Sequence, residues 1–186
     1  MPEVSAVVLA AGLSTRMGGP NKLLLPWGCS TVVGSVISAL RKCEVEIIVV
    51  TGRDADEVAQ AVDPVRTVFN ENFEQGMGTS IATGVKNCEE GRAFLITLGD
   101  MPELDSAVIK ELIQNLNNPS DIVAPIYADE PNRPGHPVLF GSDYRDALTA
   151  LKGDKGANEI IASNKQHLRR VECAGSLKDI DTPSDL

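Results

Sequence analysis

Aromatic residues and positive charge are both scarce in this chain. Only 4% of its residues are Phe, Trp or Tyr, and its 17 Lys and Arg residues are outnumbered by 26 Asp and Glu residues, which gives a net charge of -9. Proteins that bind single-stranded nucleic acid stack bases on aromatic rings, and nucleic-acid binding in general requires a basic surface. The composition therefore argues against nucleic acid as a partner.

Paired cysteines and long apolar runs are also missing. The four cysteines, at positions 29, 43, 88 and 173, are far apart and form no Cys-x-x-Cys motif, which argues against a zinc or thioredoxin-type site. Free buried thiols in a reducing cytosol are expected instead. The N-terminal apolar run is far too short to span a membrane and has no charged leader pattern before it. We predict a cytoplasmic protein with no membrane partner.

The remaining composition is that of an ordinary globular protein. With 186 residues, of which 42% are hydrophobic and 23% charged, the chain can bury a full core, and we expect one domain over residues 1–186. Short apolar runs alternate with segments of helical periodicity. Strands are predicted over 4–9, 45–50, 66–69, 93–98, 121–125, 137–140 and 167–172, and helices over 31–40, 54–61, 79–85, 105–116, 142–151 and 157–162. This alternation predicts an α/β fold with a doubly wound sheet.

The carboxyl ends of the predicted strands carry the residues of chemical interest. In doubly wound sheets, ligands bind along that edge. The edge formed by the carboxyl ends of the predicted strands would contain residues 10–22, 51–54, 70–80 and 100–102. The first of these stretches contains Gly12, Gly18 and Gly19, with Arg16 and Lys22 between and after them. Backbone N–H groups of such a loop can approach phosphate oxygens while the two cations neutralise charge, so the stretch suits a triphosphate.

The same stretch resembles the signature of a known family. Leu9-Ala10-Ala11-Gly12-x-Ser14-x-Arg16-Met17-Gly18-x-x-x-Lys22 is similar to the motif of MobA-like nucleotidyltransferases, which transfer a nucleoside monophosphate from an NTP to a phosphorylated acceptor. Two alanines before the glycine resemble the molybdenum cofactor cytidylyltransferase branch more than the guanylyltransferase branch. The resemblance covers nearly the whole chain. It implies a Rossmann-like three-layer sandwich of the nucleotide-diphospho-sugar transferase type, with a mostly parallel sheet and a late antiparallel strand.

The resemblance also implies a nucleotide site and a mechanism. The implied nucleotide-binding residues are Leu9, Ala10, Ala11, Gly12, Arg16, Lys22, Gly78, Thr79, Ser80 and Asp100. The family loop that corresponds to residues 75–80 reads the nucleobase, so the resemblance implies that these residues form a base-recognition loop. The acceptor phosphate attacks the α-phosphorus, and pyrophosphate leaves. Arg16, Lys22 and Asp100 are the expected catalytic residues, with the two cations stabilising charge on the phosphates. A phosphate nucleophile is already ionised, so no general base is needed.

Two aspartates are candidates for a Mg²⁺ site, with Mn²⁺ as the alternative ion. Asp100 directly follows a predicted strand, and the family's Gly-Asp-x-Pro aspartate is a metal ligand. A helix cap is the other interpretation of Asp100, but Asp105 is better spaced for that role. Asp181 resembles the family's second metal ligand, although Asp181-Thr182-Pro183 is equally typical of a helix start.

The acceptor is expected on the other half of the chain. Gly135-His136-Pro137-Val138 resembles the acceptor motif of the cytidylyltransferase branch, which implies Gly135, His136 and Asp154 as acceptor-binding residues. Two positions depart from the branch, since serine is frequent where Gly78 stands and arginine where Asn158 stands. The resemblance implies CTP and a molybdopterin-type acceptor, with a molybdoenzyme or its chaperone as a protein partner. Four alternatives remain open. The enzyme could use GTP as donor or a sugar phosphate as acceptor, or the protein could be a nucleotide-sensing module or a non-catalytic cofactor carrier.

Overall fold

The computed structural model describes residues 2–12, 21–128 and 135–174. Within these ranges the strands are β1 (Val4–Ala10), β2 (Pro26–Trp27), β3 (Ser30–Thr31), β4 (Glu46–Thr51), β5 (Arg66–Phe69), β6 (Ala93–Leu98), β7 (Ile122–Tyr127), β8 (Val138–Phe140) and β9 (Leu168–Cys173). The α-helices are α1 (Val32–Arg41), α2 (Ala55–Val62), α3 (Met77–Lys86), α4 (Ser106–Gln114), α5 (Arg145–Thr149) and α6 (Asn158–Ser163). The predicted alternation of strands and helices is confirmed.

Seven strands form one sheet in the order β5-β4-β1-β6-β8-β7-β9. Every neighbouring pair is parallel except the two that contain β8, which runs antiparallel to both β6 and β7. The mostly parallel sheet with one late antiparallel strand is therefore confirmed. Because β8 is reversed, its start lies at the edge where the parallel strands end.

A hydrophobic core lies on each face of the sheet, which makes the fold a three-layer sandwich. One core joins the sheet to α1, α2 and α4, and includes Val8, Ile37 and Leu112. The other joins it to α3, α5 and α6 and includes Phe94 and Ile122. Central strands buried on both faces explain the continuous apolar runs in the sequence. None of the helices in the described ranges combines the length and apolar character needed to cross a membrane.

Two helices begin as the sequence predicts. Thr31 caps α1, where its Oγ1 accepts a hydrogen bond from the Gly34 amide at 3.1 Å. Asp105 caps α4, where its Oδ1 accepts from the Ala107 amide at 2.9 Å. Each cap satisfies a backbone N–H that has no partner within its helix. The Asp105 cap leaves Asp100 available for another role.

Two other predicted helix starts are wrong in detail. Asp54 stands at the N-cap of α2, but it adopts a left-handed φ of 54°, makes no side-chain cap bond and pairs with Arg53 at 3.3 Å. Helix α3 begins at Met77 rather than at Thr79. Gly76, with φ of 115°, makes the turn into α3. The start of α2 was thus placed correctly without its cap bond, and the start of α3 was placed two residues too late.

The sequence analysis missed the hairpin formed by β2 and β3. Each strand has two residues, and the turn between them contains Gly28 at φ of 57°. Trp27 of β2 packs partly buried against the core beneath α1. Strands this short contain too few residues for an alternating pattern of apolar and polar positions to be recognised.

Candidate active site

Lys22 and Asp100 form an ion pair at the carboxyl edge of the sheet. Lys22 Nζ lies 2.6 Å from Asp100 Oδ2, and the two side chains are only 15% and 17% exposed. Asn21 holds the start of the Lys22–Leu24 turn, because its Oδ1 accepts from the Leu23 amide at 3.1 Å. The structure thus joins two of the three residues predicted to be catalytic. The third, Arg16, lies outside the described residues.

The second carboxylate oxygen of Asp100 could bind a cation. Oδ1 is buried and has no hydrogen-bond partner among the residues that the structure describes. The Gly99 amide donates to the Leu9 carbonyl at 3.0 Å, which fixes the turn that holds Asp100 against the end of β1. A buried carboxylate oxygen without a donor suits a hard cation such as Mg²⁺, which needs only one or two carboxylates when phosphates supply other ligands.

A complete metal site is not formed by the described residues alone. Within residues 2–12, 21–128 and 135–174 there is no group of three or more His, Cys, Asp or Glu side chains placed to hold a metal ion. Asp181, the predicted second ligand, lies outside the described residues. Asp100 therefore fits as one ligand of a Mg²⁺ or Mn²⁺ ion whose remaining ligands would come from elsewhere, the triphosphate included.

Small residues surround the end of β1. Ala10 and Ala11 are buried, and a Cβ built on the exposed Gly12 meets no atom of the described structure within 4 Å. A Cβ on Gly52, after β4, would lie 2.9 Å from the Ala11 Cβ and 2.6 Å from the Phe73 ring. The predicted nucleotide residues 9–12 therefore lie at the edge of the sheet where β1 and β4 end, and their nucleotide contacts stay predictions.

The predicted base-recognition loop packs against the loop before α6. The Gly78 amide donates to the Gly153 carbonyl at 2.9 Å. A Cβ on Gly78 would lie 2.5 Å from the Lys155 carbonyl oxygen, and one on Gly76 would lie 2.2 Å from Asp154 Oδ1. Glycine at 76 and 78 is therefore explained by the close approach of residues 152–155.

Thr79 and Ser80 are joined by a residue that the sequence analysis did not single out. Asn70, at the end of β5, donates from Nδ2 to Thr79 Oγ1 at 2.9 Å and to Ser80 Oγ at 3.0 Å. Ser80 is buried, whereas Thr79 is half-buried. The available signal was the position of Asn70, a polar residue directly after a strand and before a glycine-rich loop. The predicted nucleotide contacts of Gly78, Thr79 and Ser80 stay predictions.

The acceptor-side motif lies at the same edge of the sheet because β8 is reversed. The Gly135 amide donates to the Pro125 carbonyl at 2.9 Å, and the Tyr127 hydroxyl donates to the His136 carbonyl at 2.8 Å. His136 is half-buried, and the peptide bond to Pro137 is cis. These contacts to β7 hold the backbone around the imidazole in place.

Asp154 borders an open cleft next to the base-recognition loop. The cleft has a volume of about 670 Å³ and is lined by Lys152, Gly153, Asp154, Lys155, Gly156, Asn158 and Glu159. Asp154 is exposed in this cleft while it contacts Gly76. The predicted acceptor residue Asp154 is thus an immediate neighbour of the predicted nucleotide loop, and its acceptor contact stays a prediction.

All four cysteines are free thiols, as predicted, but the expectation that they are buried holds fully only for Cys88, because Cys43 and Cys173 are half-buried and Cys29 is exposed. Burial raises the pKa of the Cys43 and Cys173 thiols and raises the pKa of Cys88 to about 11. A thiol with a raised pKa stays protonated at neutral pH and is a poor nucleophile. These three cysteines therefore have structural roles, which agrees with a reaction that needs no protein nucleophile.

The mostly parallel α/β sheet holds Lys22 and Asp100 at its carboxyl edge, and the family comparison gives the class of the protein, a nucleotidyltransferase. Residues 6–171 match the MobA-like NTP transferase domain. The chain belongs to the MobA-like NTP transferase family. Its expected resemblance to that family is confirmed.

Two relatives match almost the full chain at the same identity. The molybdenum cofactor cytidylyltransferase of Escherichia coli strain K12 is 30% identical over 189 residues, which cover 100% of this chain and 94% of the relative. The nicotine blue oxidoreductase of Paenarthrobacter nicotinovorans is 30% identical over 193 residues, covering 98% and 94%. The manganese complex of Rv0371C from Mycobacterium tuberculosis H37Rv has a TM-score of 0.82 at 28% identity and covers 98% of this chain and 95% of that one.

Proposed function

We propose that this protein transfers CMP from CTP to the phosphate of a molybdopterin-type acceptor and releases pyrophosphate. The observation that carries the proposal is the ion pair between Lys22 and Asp100, with a buried second oxygen on Asp100. The pair supports the proposal because Lys22 would supply a cation for phosphate and Asp100 an oxygen ligand for Mg²⁺ or Mn²⁺, near the end of β1. We further propose that residues 1–186 form one domain and that the protein is cytoplasmic.

The chain's own residues would act by binding and orienting phosphates. An oxygen of the acceptor phosphate attacks the α-phosphorus of CTP and forms a new P–O bond with it. The bond between the α-phosphorus and the oxygen that bridges to the β-phosphate breaks, and pyrophosphate leaves. Lys22 leaves Asp100 to hold the α-phosphate, and Arg16 binds the departing pyrophosphate. A divalent cation held by Asp100 would supply further neutralisation of the triphosphate charge. Such electrostatic stabilisation is the main catalytic contribution expected in phosphoryl-group chemistry.

The acceptor would approach from the side of β8. Gly135 and His136 are anchored to β7 at the same edge as Asp100, and Asp154 borders the cleft beside Gly76. The Escherichia coli relative's name gives the acceptor as the molybdenum cofactor. The same acceptor is proposed for this chain because the match covers its full length and because it contains the Gly-His-Pro motif at 135–137.

Other functions lead to different expectations. The nicotine blue oxidoreductase has the same identity to this chain, so identity alone does not separate transferase from oxidoreductase chemistry. The Lys22 and Asp100 pair favours the transferase, because binding a triphosphate needs a cation and a metal ligand. GTP as donor or a sugar-phosphate acceptor would retain the pair, whereas a cofactor carrier would not require it.

The proposal is tested by pyrophosphate release. CTP and GTP are assayed separately with Mg²⁺ and molybdopterin or its molybdenum form. We expect release with CTP only, and only when the acceptor is present. Release with GTP would overturn the base assignment, and release with a sugar phosphate alone would overturn the acceptor. Absence of release with every nucleotide and acceptor would overturn the transferase proposal.

A matched pair of variants tests the role of Asp100. Asp100→Asn removes the charge, and with it the ion pair and the metal ligand, so we expect turnover to fall about a thousandfold, which is in the range for loss of a major electrostatic group. Asp105→Asn is the control, because asparagine caps a helix about as well as aspartate. Equal activity of the two folded variants would contradict the assignment of Asp100.

A further inference from the structure

The buried side chain of Asn70 makes three hydrogen bonds near the candidate active site. It is only 2% exposed and lies between the end of β5 and the start of α3. Its Nδ2 donates to Thr79 and Ser80, and its Oδ1 accepts from the Asn72 amide at 3.0 Å. One carboxamide thereby joins the two sides of the loop formed by residues 71–78.

The backbone of Asn70 is anchored as firmly as its side chain. Its amide donates to the Thr51 carbonyl at the end of β4 at 2.9 Å, and its carbonyl accepts from the Phe73 amide at 3.2 Å. Both amide hydrogens of the side chain and its oxygen are already bonded to protein groups. Buried networks that are fully satisfied rigidify the structure around them. Asn70 is therefore built to fix its neighbours rather than to contact a ligand.

The hydrogen bonds from Asn70 also fix the direction of the two hydroxyl groups. Each hydroxyl oxygen accepts an amide hydrogen, so its own hydrogen must point elsewhere. Thr79 Oγ1 lies 2.9 Å from both the Asn72 and the Gly76 carbonyl oxygens, to which its hydrogen can be donated. The course of residues 72–76 is thus held from both ends, through Asn70 and Thr79.

We propose that Asn70 is a positioning residue for nucleobase selectivity, acting through the loop of residues 71–80. This inference rests on the proposed function and on the expectation that residues 75–80 of this loop read the nucleobase. Base edges differ only in where their donors and acceptors lie, and hydrogen bonds weaken steeply with misalignment. A loop that reads a base must therefore be held rigid, and Asn70 holds it while contacting no ligand.

The test compares Asn70→Ala with the wild-type protein in two binding measurements. Calorimetry gives the affinity for CTP, for GTP and for inorganic tripolyphosphate, which has phosphates but no base. We expect Asn70→Ala to weaken binding of the preferred nucleotide about tenfold and to reduce the difference between CTP and GTP. Binding of tripolyphosphate should stay within about twofold of wild type, because Lys22 and residues 9–12 are unchanged.

Asn87→Ala is the matched control. Asn87 lies at the opposite end of α3, where its Nδ2 donates to the Thr83 carbonyl at 2.9 Å and its Oδ1 accepts from Arg66. The variant loses hydrogen bonds on the same helix without touching the loop, so it should bind both nucleotides as the wild type does. If Asn87→Ala and Asn70→Ala lower selectivity equally, general weakening of α3 is responsible and the proposal is wrong.

A second variant keeps the proposal testable if Asn70→Ala does not fold. Asn70→Asp has nearly the same shape and retains the acceptor for the Asn72 amide, but it has no hydrogens for Thr79 and Ser80. The same loss of base selectivity is expected, with turnover number affected less than the KM for the nucleotide. A wild-type protein that binds no nucleotide would overturn the proposed function itself, whereas selective wild-type binding that both variants preserve would overturn only the role of Asn70.

Discussion

Lys22 and Asp100 bind each other, and each of them could also bind a ligand. In the absence of ligands the ammonium group neutralises the carboxylate at 2.6 Å. A triphosphate would attract Lys22, and a divalent cation would attract Asp100. The triphosphate would draw Lys22 away, and a divalent cation on Oδ1 would repel the ammonium group from the same carboxylate, so each ligand weakens the ion pair and makes binding of the other easier. Nucleotide and metal should therefore bind with positive coupling.

Removal of Lys22 should separate these two effects. We expect Lys22→Ala to bind Mn²⁺ about tenfold more tightly than wild type when no nucleotide is present, equivalent to about 1.4 kcal/mol, since the ion no longer displaces a cation. Binding of CTP should weaken in the same variant. A Mn²⁺ titration followed by electron paramagnetic resonance measures the first effect directly.

The exposed Lys110 on α4 provides the control for this titration. Lys110→Ala removes the same charge from the whole protein but leaves the ion pair intact, so its Mn²⁺ affinity should match wild type. Tighter Mn²⁺ binding in both variants would attribute the effect to net charge. Unchanged binding in Lys22→Ala would contradict competition at Asp100.

Single residues could be predicted from the sequence where a motif contained them. Lys22, Asp100 and His136 were named from their motifs, and the structure places all three at one edge of the sheet. Asn70 could not be found in this way, because its importance depends on hydrogen bonds to residues nine and ten positions later. Such contacts depend on how β5 and α3 pack, which local sequence does not specify.

At the scale of elements, the contact between the base-recognition loop and residues 152–155 was not foreseen. The two segments are about 75 positions apart, and only the packing of α3 beside α5 and α6 brings them together. The strands and most helices were predicted because their apolar periodicity is local. Starts such as that of α3 were missed because Gly76 provides the turn through its backbone conformation.

This contact predicts an unexpected result for Gly78→Ser, which introduces the residue frequent in the cytidylyltransferase branch. The new Cβ would lie 2.5 Å from the Lys155 carbonyl oxygen, so residues 152–155 must move. We expect the free energy of unfolding to fall by about 1–3 kcal/mol, as for other overpacked sites. The KM for the acceptor should rise more than the KM for CTP, because the moving loop carries Asp154.

Gly156→Ser is the control for the stability measurement. A Cβ at Gly156 would meet only the Met77 sulfur at 3.8 Å, an ordinary contact. Chemical denaturation should therefore give this variant nearly the wild-type free energy of unfolding. Equal destabilisation of the two variants, or a larger change in the KM for CTP than for the acceptor in Gly78→Ser, would show that the loop contact is not the cause.

At the scale of the whole molecule, the sheet order explains how an acidic protein could bind anionic substrates. The net charge is -9, yet the strand order brings Lys22 to the edge where both halves of the site meet. The family resemblance implied a mostly parallel sheet with a late antiparallel strand, but neither it nor the apolar periodicity was used to predict the order of the strands. The reversed strand β8 connects the two halves, because it starts beside His136 and pairs with β6, which leads to Asp100.

The half of the sheet formed by β7, β8 and β9 depends on one buried carboxylate. Asp121, just before β7, accepts from the Asn117 and Asn118 amides at 3.1 and 2.9 Å and from Arg169 of β9 at 3.1 Å. Burial acts to raise the pKa of Asp121, but these hydrogen bonds and the charge of Arg169 together lower it below its ordinary value of 3.8. The folded protein therefore favours the ionised form more than the unfolded chain does.

The pH dependence of stability follows from the sign of this shift. A lowered folded-state pKa contributes stability that is complete well above pH 3.8 and is lost as the pH falls through the lower folded value. We expect Asp121→Asn to reduce the free energy of unfolding by about 2 kcal/mol at pH 7, the scale of hydrogen bonds to a charged group. The difference from wild type should shrink below about pH 4, since the carboxyl of the unfolded wild-type chain then takes up a proton, and it should be lost as the pH falls through the lower folded-state pKa.

Arg169→Met removes the ion pair with Asp121 but leaves the backbone hydrogen bonds to Asp121 in place. The Arg169 side chain is 47% exposed, so its loss should cost less than the loss of the Asp121 charge, about 1 kcal/mol or below. Urea denaturation from pH 2.5 to 7 measures both variants against wild type. If the difference in free energy of unfolding between Asp121→Asn and wild type stayed constant down to pH 2.5, the carboxylate would not be the source of the stability. The turn at Asn117 and Asn118 would then be stable without the charge of Asp121.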